Sequence, residues 1–460
     1  MATPITYDIV IIGGGISGPA DAYTICRYLR GVGRVALVEK EGGPAQINSG
    51  HEANSQTLHF GEIETNFDLT KALGVKYAAD LVAGYLERHP DQAIFVRRHK
   101  MVIAVGADEV ARLTARSAEF VEHYPGIRLL SREEIAAIEP RVMEGRNPTE
   151  HIVALYSPDG FIVNYGALAT ALIEDARQSS VTFDTYFRTK VQSITRTQGG
   201  FTVQTDRQVF RARAVVVTAG GHSLLFAKAM GYETHYELLP VAGSFYRTSI
   251  RDCVTGKVYT MQIEGIPFAA THADPEVTNP NETRFGPTAK MLPLLERHRY
   301  GTIFDFLRSI VWNPMGIFTF FRILFTQHLF WFAMRNLLLD FPLLGKWMFL
   351  RDVRKIIPSL RYRDLLRARG VGGIRPQIVD TRTGKMVMGE GKYVHDGIIF
   401  SVTPSPGASV CLRAAEDDAK SLAAYLGATF DGEAFRRDHA RIPLDVHAGM
   451  LPAVAAQVRQ

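Results

Sequence analysis

The run Asp8-Ile9-Val10-Ile11-Ile12-Gly13-Gly14-Gly15-Ile16-Ser17-Gly18 constrains this chain more than any other stretch. Its apolar residues read as a buried strand that enters Gly13-x-Gly15-x-x-Gly18, and a helix follows. A second apolar strand, Val35-Ala36-Leu37-Val38, ends in Glu39, with Lys40 next to it. Gly13 permits the tight turn, Gly15 lets backbone approach a pyrophosphate, and Gly18 lets helix and strand pack closely. Unpaired N–H groups at the helix start, around Ile16 and Ser17, face the phosphates, while an acid about 20 residues on accepts ribose hydroxyls. With strand, glycines, helix and acid in register, the spacing predicts a Rossmann-type α/β dinucleotide-binding unit over roughly the first 75 residues.

At 460 residues the chain has room for two domains with real cores. Hydrophobic residues make up 46% and charged residues 22%, the balance of an ordinary globular protein. The net charge of +5 suits an anionic small substrate or an anionic membrane surface. Lys and Arg are scattered and form no stripe alternating with aromatics, which argues against nucleic acid. Cys26, Cys253 and Cys411 are far apart and form no C-x-x-C, so neither a disulfide framework nor a metal site is expected, and a reducing compartment is. The N-terminal residues show no basic segment followed by an apolar one, and no signal peptide is expected.

Further along, residues 77–139 have much of their apolar content at helical spacing, and Ser157-Pro158-Asp159-Gly160 reads as a turn. Residues 165–177 form an amphipathic helix pattern, and 190–196 with 201–205 a hairpin. Residues 212–217 are a buried strand ending in Thr218-Ala219-Gly220, small enough for backbone to approach a ligand. Strand signals at 256–259 and 266–272 follow. A strand at 397–402 then leads through Thr403-Pro404-Ser405-Pro406-Gly407-Ala408-Ser409 into a helix over 410–426, a second helix start suited to a negative group. The nucleotide domain is therefore expected to be discontinuous, with 1–75, 150–232 and 366–428 forming it, 76–149 and 233–365 a substrate domain, and 429–460 a tail.

Taken together, the glycine fingerprint, Glu39, the Thr218-Ala219-Gly220 strand end and the late Pro-Gly-Ala-Ser turn resemble the FAD-dependent oxidoreductases of the D-amino-acid oxidase superfamily. Within it the chain is similar to the malate:quinone oxidoreductase family, over nearly its whole length. The motifs that carry this are Asn54-Ser55-Gln56-Thr57-Leu58-His59 with Glu64 and Asn66, Pro240 to Tyr246, Gly256-Lys257-Val258-Tyr259, Thr271-His272-Ala273-Asp274, Arg284-Phe285-Gly286-Pro287 and the 403–409 turn. The resemblance implies a glutathione-reductase-like FAD domain with an inserted mixed α+β substrate domain and non-covalent FAD. It also implies oxidation of L-malate to oxaloacetate in the tricarboxylic acid cycle, with electrons passed to membrane quinone at the cytoplasmic face of the membrane. It places Gly13, Gly15, Ile16, Ser17, Gly18, Glu39, Lys40, Ser55, Gln56, Thr57, Val191, Ala219, Gly220, Ser405, Gly407, Ala408 and Ser409 at the cofactor. L-2-hydroxyglutarate oxidases share the Leu58-His59-Phe60-Gly61 and Thr271-His272 patterns and stand as the alternative. A non-catalytic flavin-binding membrane scaffold is the alternative of another class, and an NAD enzyme also fits the first motif alone.

Oxidising a 2-hydroxy acid needs a base for the hydroxyl proton and cations for the carboxylates. Histidine suits the base because its ordinary pKa lies near neutral. His272 is the first choice, with Asp274 to orient it, and His59 is the second imidazole of the site. Arg375 is the first choice for a carboxylate, with Lys257, Tyr259, Tyr246 and Gln377 as further substrate residues and Arg284 as a second-choice cation.

Residues 303–349 are unusually apolar, yet Asn313, Pro314, Arg322, Gln327, His328 and Arg335 interrupt every run well short of the roughly 18 residues needed to cross a bilayer. With the basic residues that follow up to 369, the segment reads as an in-plane contact with an anionic lipid surface, with a core hairpin or a partner interface as alternatives. Oligomeric state stays open.

Overall fold

The computed structural model describes residues 4–91, 93–262, 270–279, 281–311, 335–336, 338–339, 341–387, 391–402 and 406–441. The strand Ile5–Ile12 lies inside an eight-stranded sheet, parallel to Val209–Val217 on one side and to Arg34–Val38 on the other. Ile398–Val402 and Thr182–Tyr186 extend the parallel set outward, and Gly391–His395 closes one edge antiparallel. Both faces of the first strand are covered, which is why it reads as an unbroken apolar run. Ile9 and Ile11 pack among Ala22, Ile25, Ala176 and Leu422 from three helices, Ser17–Tyr28, Tyr165–Arg177 and Cys411–Leu426. Val10 and Ile12 pack on the opposite face with Ile194, Phe201 and Val203 of the hairpin Val191–Thr197 and Gly200–Thr205. Each such side chain taken from water contributes about 1.5–3 kcal/mol. The Tyr165–Arg177 helix falls on its expected bounds, with the Asn164 side chain accepting from the N–H groups of Gly166 and Ala167.

A second, mixed sheet of eight strands holds Phe95–Val105, Ile152–Val163, Lys257–Thr260, His272–Pro275 and Thr283–Gly286. A third, antiparallel sheet pairs Tyr236–Ala242 with Ile374–Asp380 in full register. Strand pairing divides the chain differently from the expected intervals. Ile152–Val163 and Leu366–Arg367 pair within the mixed sheet, and Ile374–Asp380 with Lys385–Val387 within the third, not within the parallel sheet. A strand's own residues specify its faces but not its partner, which is chosen by distant chain. The start of the expected tail is also built in: Thr429–Phe430 pairs with Leu29–Arg30, and the helix Gly432–Asp438 buries Phe435 against Tyr28.

Two local expectations are corrected. Ser157 to Gly160 is not a turn but a bulged part of one long strand, where the register shifts between Arg98 and Lys100 of the partner. Pro158 and Gly160 serve the bulge: a Cβ on Gly160 would stand 2.3 Å from the Arg98 carbonyl oxygen. Within 77–139, where helical spacing was read, the strand Phe95–Val105 separates the helices Leu69–Arg88 and Ala107–Phe120. Its inner half, Met101 to Ala104, is wholly buried, and a continuous apolar run carries no period to tell strand from helix.

His439 makes one consequence of this packing measurable. It is 2% exposed among Tyr23, Tyr28 and Phe435, its Nδ1–H donates to the Phe435 carbonyl, and burial pushes its pKa down to about 4. The folded state thus refuses a proton that the unfolded chain accepts below about pH 6.5. Stability is unaffected above that pH and declines as pH falls toward the folded value, by about 2 kcal/mol at pH 5. Urea unfolding of His439→Phe should lack this loss between pH 7.5 and pH 5.

Candidate active site

The nucleotide cradle forms where the parallel strands end. Gly13 has φ +112°, and a Cβ there would lie 2.5 Å from the Thr218 carbonyl oxygen. A Cβ on Gly18 would lie 1.9 Å from the Gly13 carbonyl oxygen, so both positions require glycine. At Gly15 a Cβ would meet only the Ser49 Oγ, at 3.4 Å, and would otherwise fill the cavity in front of it. Glu39 closes the far end. Its carboxylate accepts from the N–H groups of Gly14 at 2.5 Å and Glu41 at 2.8 Å, while burial raises its pKa against these bonds.

A cavity of about 1410 Å³ opens from this cradle. It exceeds the few hundred to about 1,000 Å³ usual for one small ligand, as a dinucleotide together with a substrate requires. Of the expected cofactor residues, Gly13, Gly15, Ile16, Ser17, Glu39, Lys40, Ser55, Thr57, Val191, Ala219, Gly220, Gly407, Ala408 and Ser409 line it. Gly18 and Gln56 sit behind the wall. Gln56, with φ +56°, spends its side-chain amide on Glu276, the His51 carbonyl and the Val277 N–H. Ser405 lies outside the described residues. The expected helix start is modified: Gly407–Val410 is a tight 3₁₀ turn, and the α-helix begins at Cys411. Ser409 Oγ accepts from the His59 N–H at 2.9 Å, and the Thr57 carbonyl accepts from Tyr165 OH at 2.8 Å. The late turn and the 54–59 loop are thereby locked together on one side of the cavity.

Behind that loop stands a buried charged row. The antiparallel register that sets Val258 against Ala273 also brings Lys257 beside Asp274. Lys257 Nζ donates to Asp274 Oδ1 at 3.0 Å and to the Ser55 carbonyl at 2.9 Å, and His272 Nδ1 lies 2.5 Å from Asp274 Oδ2. Burial alone would raise the Asp274 pKa, but His272 and Lys257 hold it down at about 2. Burial lowers the His272 pKa, Asp274 opposes this, and Lys257 and His59 add to it, so the imidazole is neutral at neutral pH. Tyr259 stands across from His272 with ring centroids 4.8 Å apart, its hydroxyl 2.7 Å from Thr57 Oγ1.

His59 itself lines the cavity, whereas His272 is 5% exposed just behind the lining. The His59 Nδ1 lies 2.5 Å from Glu64 Oε1. Burial raises Glu64, but His59, Lys100 and Arg116 outweigh it and keep the carboxyl below its usual range. Lys100 in turn pairs at 2.6 Å with Glu62, both fully buried. This network escaped the sequence reading, although the His59-x₄-Glu64 spacing inside a quoted motif was its one visible sign.

Arg375 reaches the same cavity from the strand Ile374–Asp380. Burial pushes its pKa down to about 10, and no charge opposes the shift. Among the described residues its guanidinium makes no hydrogen bond, and it remains a partly buried cation facing the cavity. Arg284, by contrast, is satisfied by Glu276 at 3.0 Å. Four expected substrate residues do not line the cavity. Lys257 and Tyr259 stand in the buried row behind the 54–59 loop, Tyr246 stacks on Phe349 in the core of the mixed sheet, and Gln377 donates to the Val387 carbonyl at 2.6 Å. Tyr246 directly follows Phe245 and Gln377 directly follows Pro376, both of which line the cavity, and alternation along extended chain turns each away.

A parallel sheet ending in a glycine cradle and a partly buried acid, with a late helix turn closing over the same cavity, is the architecture of a flavin enzyme. The protein-family model described as FAD dependent oxidoreductase matches residues 8–415, and the chain belongs to that family. Solved structures agree on the fold. Glycine oxidase from Geobacillus kaustophilus superposes with TM-score 0.63 at 20% identity, over 94% of this chain and 98% of that one. L-alpha-glycerophosphate oxidase from Mycoplasma pneumoniae with FAD bound superposes with TM-score 0.60 at 18% identity, over 91% and 94%. Within the FAD-dependent enzymes the chain falls among the malate:quinone oxidoreductases. It is 37% identical to the probable malate:quinone oxidoreductase of Campylobacter jejuni over 93% of this chain and 98% of that one. It is equally 37% identical to the malate:quinone oxidoreductase of Helicobacter pylori (strain ATCC 700392 / 26695), over 94% and 97%. Human mitochondrial L-2-hydroxyglutarate dehydrogenase is more distant, at 26% over 84% and 81%.

Proposed function

We propose that this protein oxidises L-malate to oxaloacetate and delivers the electrons to membrane quinone. Arg375 carries the reading, as a partly buried cation without a protein acceptor among the described residues, facing the cavity that begins at the nucleotide cradle. A carboxylate is the ligand such a guanidinium lacks. Bound FAD supplies the two-electron acceptor for the hydride that leaves the substrate C2. The chain supplies the rest. Arg375 holds a carboxylate and so orients the C2–H bond. His272 accepts the hydroxyl proton, Asp274 fixes its ring and stabilises the imidazolium, and Lys257 keeps Asp274 ionised. His59 contacts substrate or cofactor from the cavity wall, with Glu64 fixing its ring. Anaerobic bleaching of the yellow protein tests this: malate should bleach it, and 2-hydroxyglutarate or lactate should do so far more slowly. Preference for 2-hydroxyglutarate would reassign the substrate, and no bleaching by any hydroxy acid would leave a flavin-binding scaffold.

No helix among the described residues is long and apolar enough to cross a membrane. The protein is proposed to lie against one, at its cytoplasmic face, a placement that suits three buried cysteines that form no disulfide. Phe320, Phe321, Leu324 and Phe325 of the apolar segment fall outside the described residues. Its flanks are described: Tyr300, Phe304, Leu343 and Trp347 are more than half exposed, and Arg351 lies over the Trp347 ring at 5.4 Å. Apolar side chains beside exposed Arg351, Arg354, Arg361 and Arg363 suit an anionic lipid surface. Leu343→Glu/Trp347→Glu should lower partitioning onto anionic vesicles at least about tenfold, since each side chain contributes about 1.5–3 kcal/mol when buried. Unchanged sedimentation with vesicles would remove this contact.

A further inference from the structure

The cavity has a wall that the nucleotide fingerprint does not explain. Leu295, Glu296, Arg299, Thr302, Asp305 and Arg308 line it together with Glu39 and Val191, although they come from chain outside the parallel sheet. Ion pairs tie this segment to the loop after Val38. Arg299 donates from Nη1 to Glu41 Oε1 at 2.6 Å and from Nη2 to Glu41 Oε2 at 2.8 Å, a two-pronged fork. Lys40 Nζ pairs with Glu296. His222, opening the helix His222–Ala229, places Nε2 3.2 Å from Asp305 Oδ2. The fork is close to the ribose corner, because the Glu41 N–H donates to the Glu39 carboxylate. Thr302 Oγ1 accepts from the N–H groups of Leu295 and Glu296, which fixes the bend that carries Arg299. Phe306 anchors the helix Thr302–Val311 among Leu224, Leu238 and Ile378.

We propose that residues 295–308 form a clasp over the adenosine half of bound FAD, and that the Arg299–Glu41 and Lys40–Glu296 pairs set how fast the cofactor leaves. A ligand held between the sheet-end loops and this segment departs only when one wall moves. The parallel sheet is fixed by its buried core, whereas the opposing segment is held at the ribose corner by partly exposed ion pairs. Such pairs are weak singly and screened by salt, which suits a contact that must open.

The test is the rate at which FAD fluorescence appears when holoprotein is diluted. Arg299→Ala should release FAD about fivefold faster than the wild type, as expected from losing one partly exposed bidentate pair, and Arg299→Lys, which lacks the fork, should fall between. Glu41→Gln provides a second route to the same loss if Arg299→Ala folds poorly. Salt should speed release from the wild type more than from Arg299→Ala, which keeps only the Lys40–Glu296 pair. Urea unfolding of the flavin-free proteins serves as the control for a general loss of stability. Release from folded Arg299→Ala and Glu41→Gln within about twofold of the wild type, less than one such pair is worth, would overturn the clasp. A wild-type protein that binds no flavin would instead strike at the cofactor itself.

Discussion

Replacing His272 by alanine should leave a yellow protein whose flavin malate bleaches about 10²–10⁴-fold more slowly, the usual loss when a positioned base is removed. The proposed FAD cradle is Gly13, Gly18, Glu39 and the 407–409 turn, whereas the partner of His272 is Asp274, so flavin content should be unaffected. The pH dependence carries a sign. A base works in its neutral form, and burial lowers the His272 pKa below that of ordinary histidine, so the acid limb of the bleaching rate should lie below about pH 6.5. Asp274→Asn removes the one charge that raises this pKa, so the limb should move to still lower pH while the maximal rate falls from loss of ring orientation. His59→Ala distinguishes the two imidazoles. If it, and not His272→Ala, abolishes bleaching, the roles are exchanged, since His59 is the one that lines the cavity.

Arg375→Met should do two opposite things. Malate affinity, read from the substrate dependence of the bleaching rate, should fall about 100-fold, because a charge-assisted pair of hydrogen bonds carries about 3 kcal/mol. The ligand-free protein should at the same time become more stable, by about 1 kcal/mol, because a partly desolvated cation with no hydrogen-bond partner among the described residues is replaced by an apolar chain of similar length. Arg375→Lys should restore little of the affinity, as an ammonium cannot offer the planar fork. A variant with weakened malate binding and unchanged or reduced stability would show that Arg375 is paired in the free protein.

Where chemistry is local, the residues alone were legible. The turn at Gly13 needs a positive φ and no Cβ, Gly18 tolerates no side chain, and Asn164 caps the helix that starts at Tyr165; each requirement acts within a few residues. The parallel pairing of Ile5–Ile12 with Arg34–Val38 belongs to the same local unit, a strand, a helix and a strand, whereas its other neighbour, Val209–Val217, comes from distant chain. Ser157 to Gly160 misled for an equally physical reason. Proline and glycine mark any departure from regular backbone, and a bulge in a long strand uses the same residues as a turn. Tyr246 and Gln377 misled because motif membership names a neighbourhood, while the side-chain alternation of an extended strand decides which members of it face the cavity.

By itself the amino-acid order determined the dinucleotide cradle, the late Gly407-Ala408-Ser409 turn and the residue types needed for 2-hydroxy-acid oxidation, because these rest on steric and chemical demands of single positions. Only the tertiary structure decided that Lys257, Asp274 and His272 form one buried row, that Arg375 is left without an acceptor among the described residues, and that Arg299 reaches back to Glu41. Those facts depend on cross-strand register and on burial. Both are set by contacts between residues up to hundreds of positions apart, which no local pattern encodes.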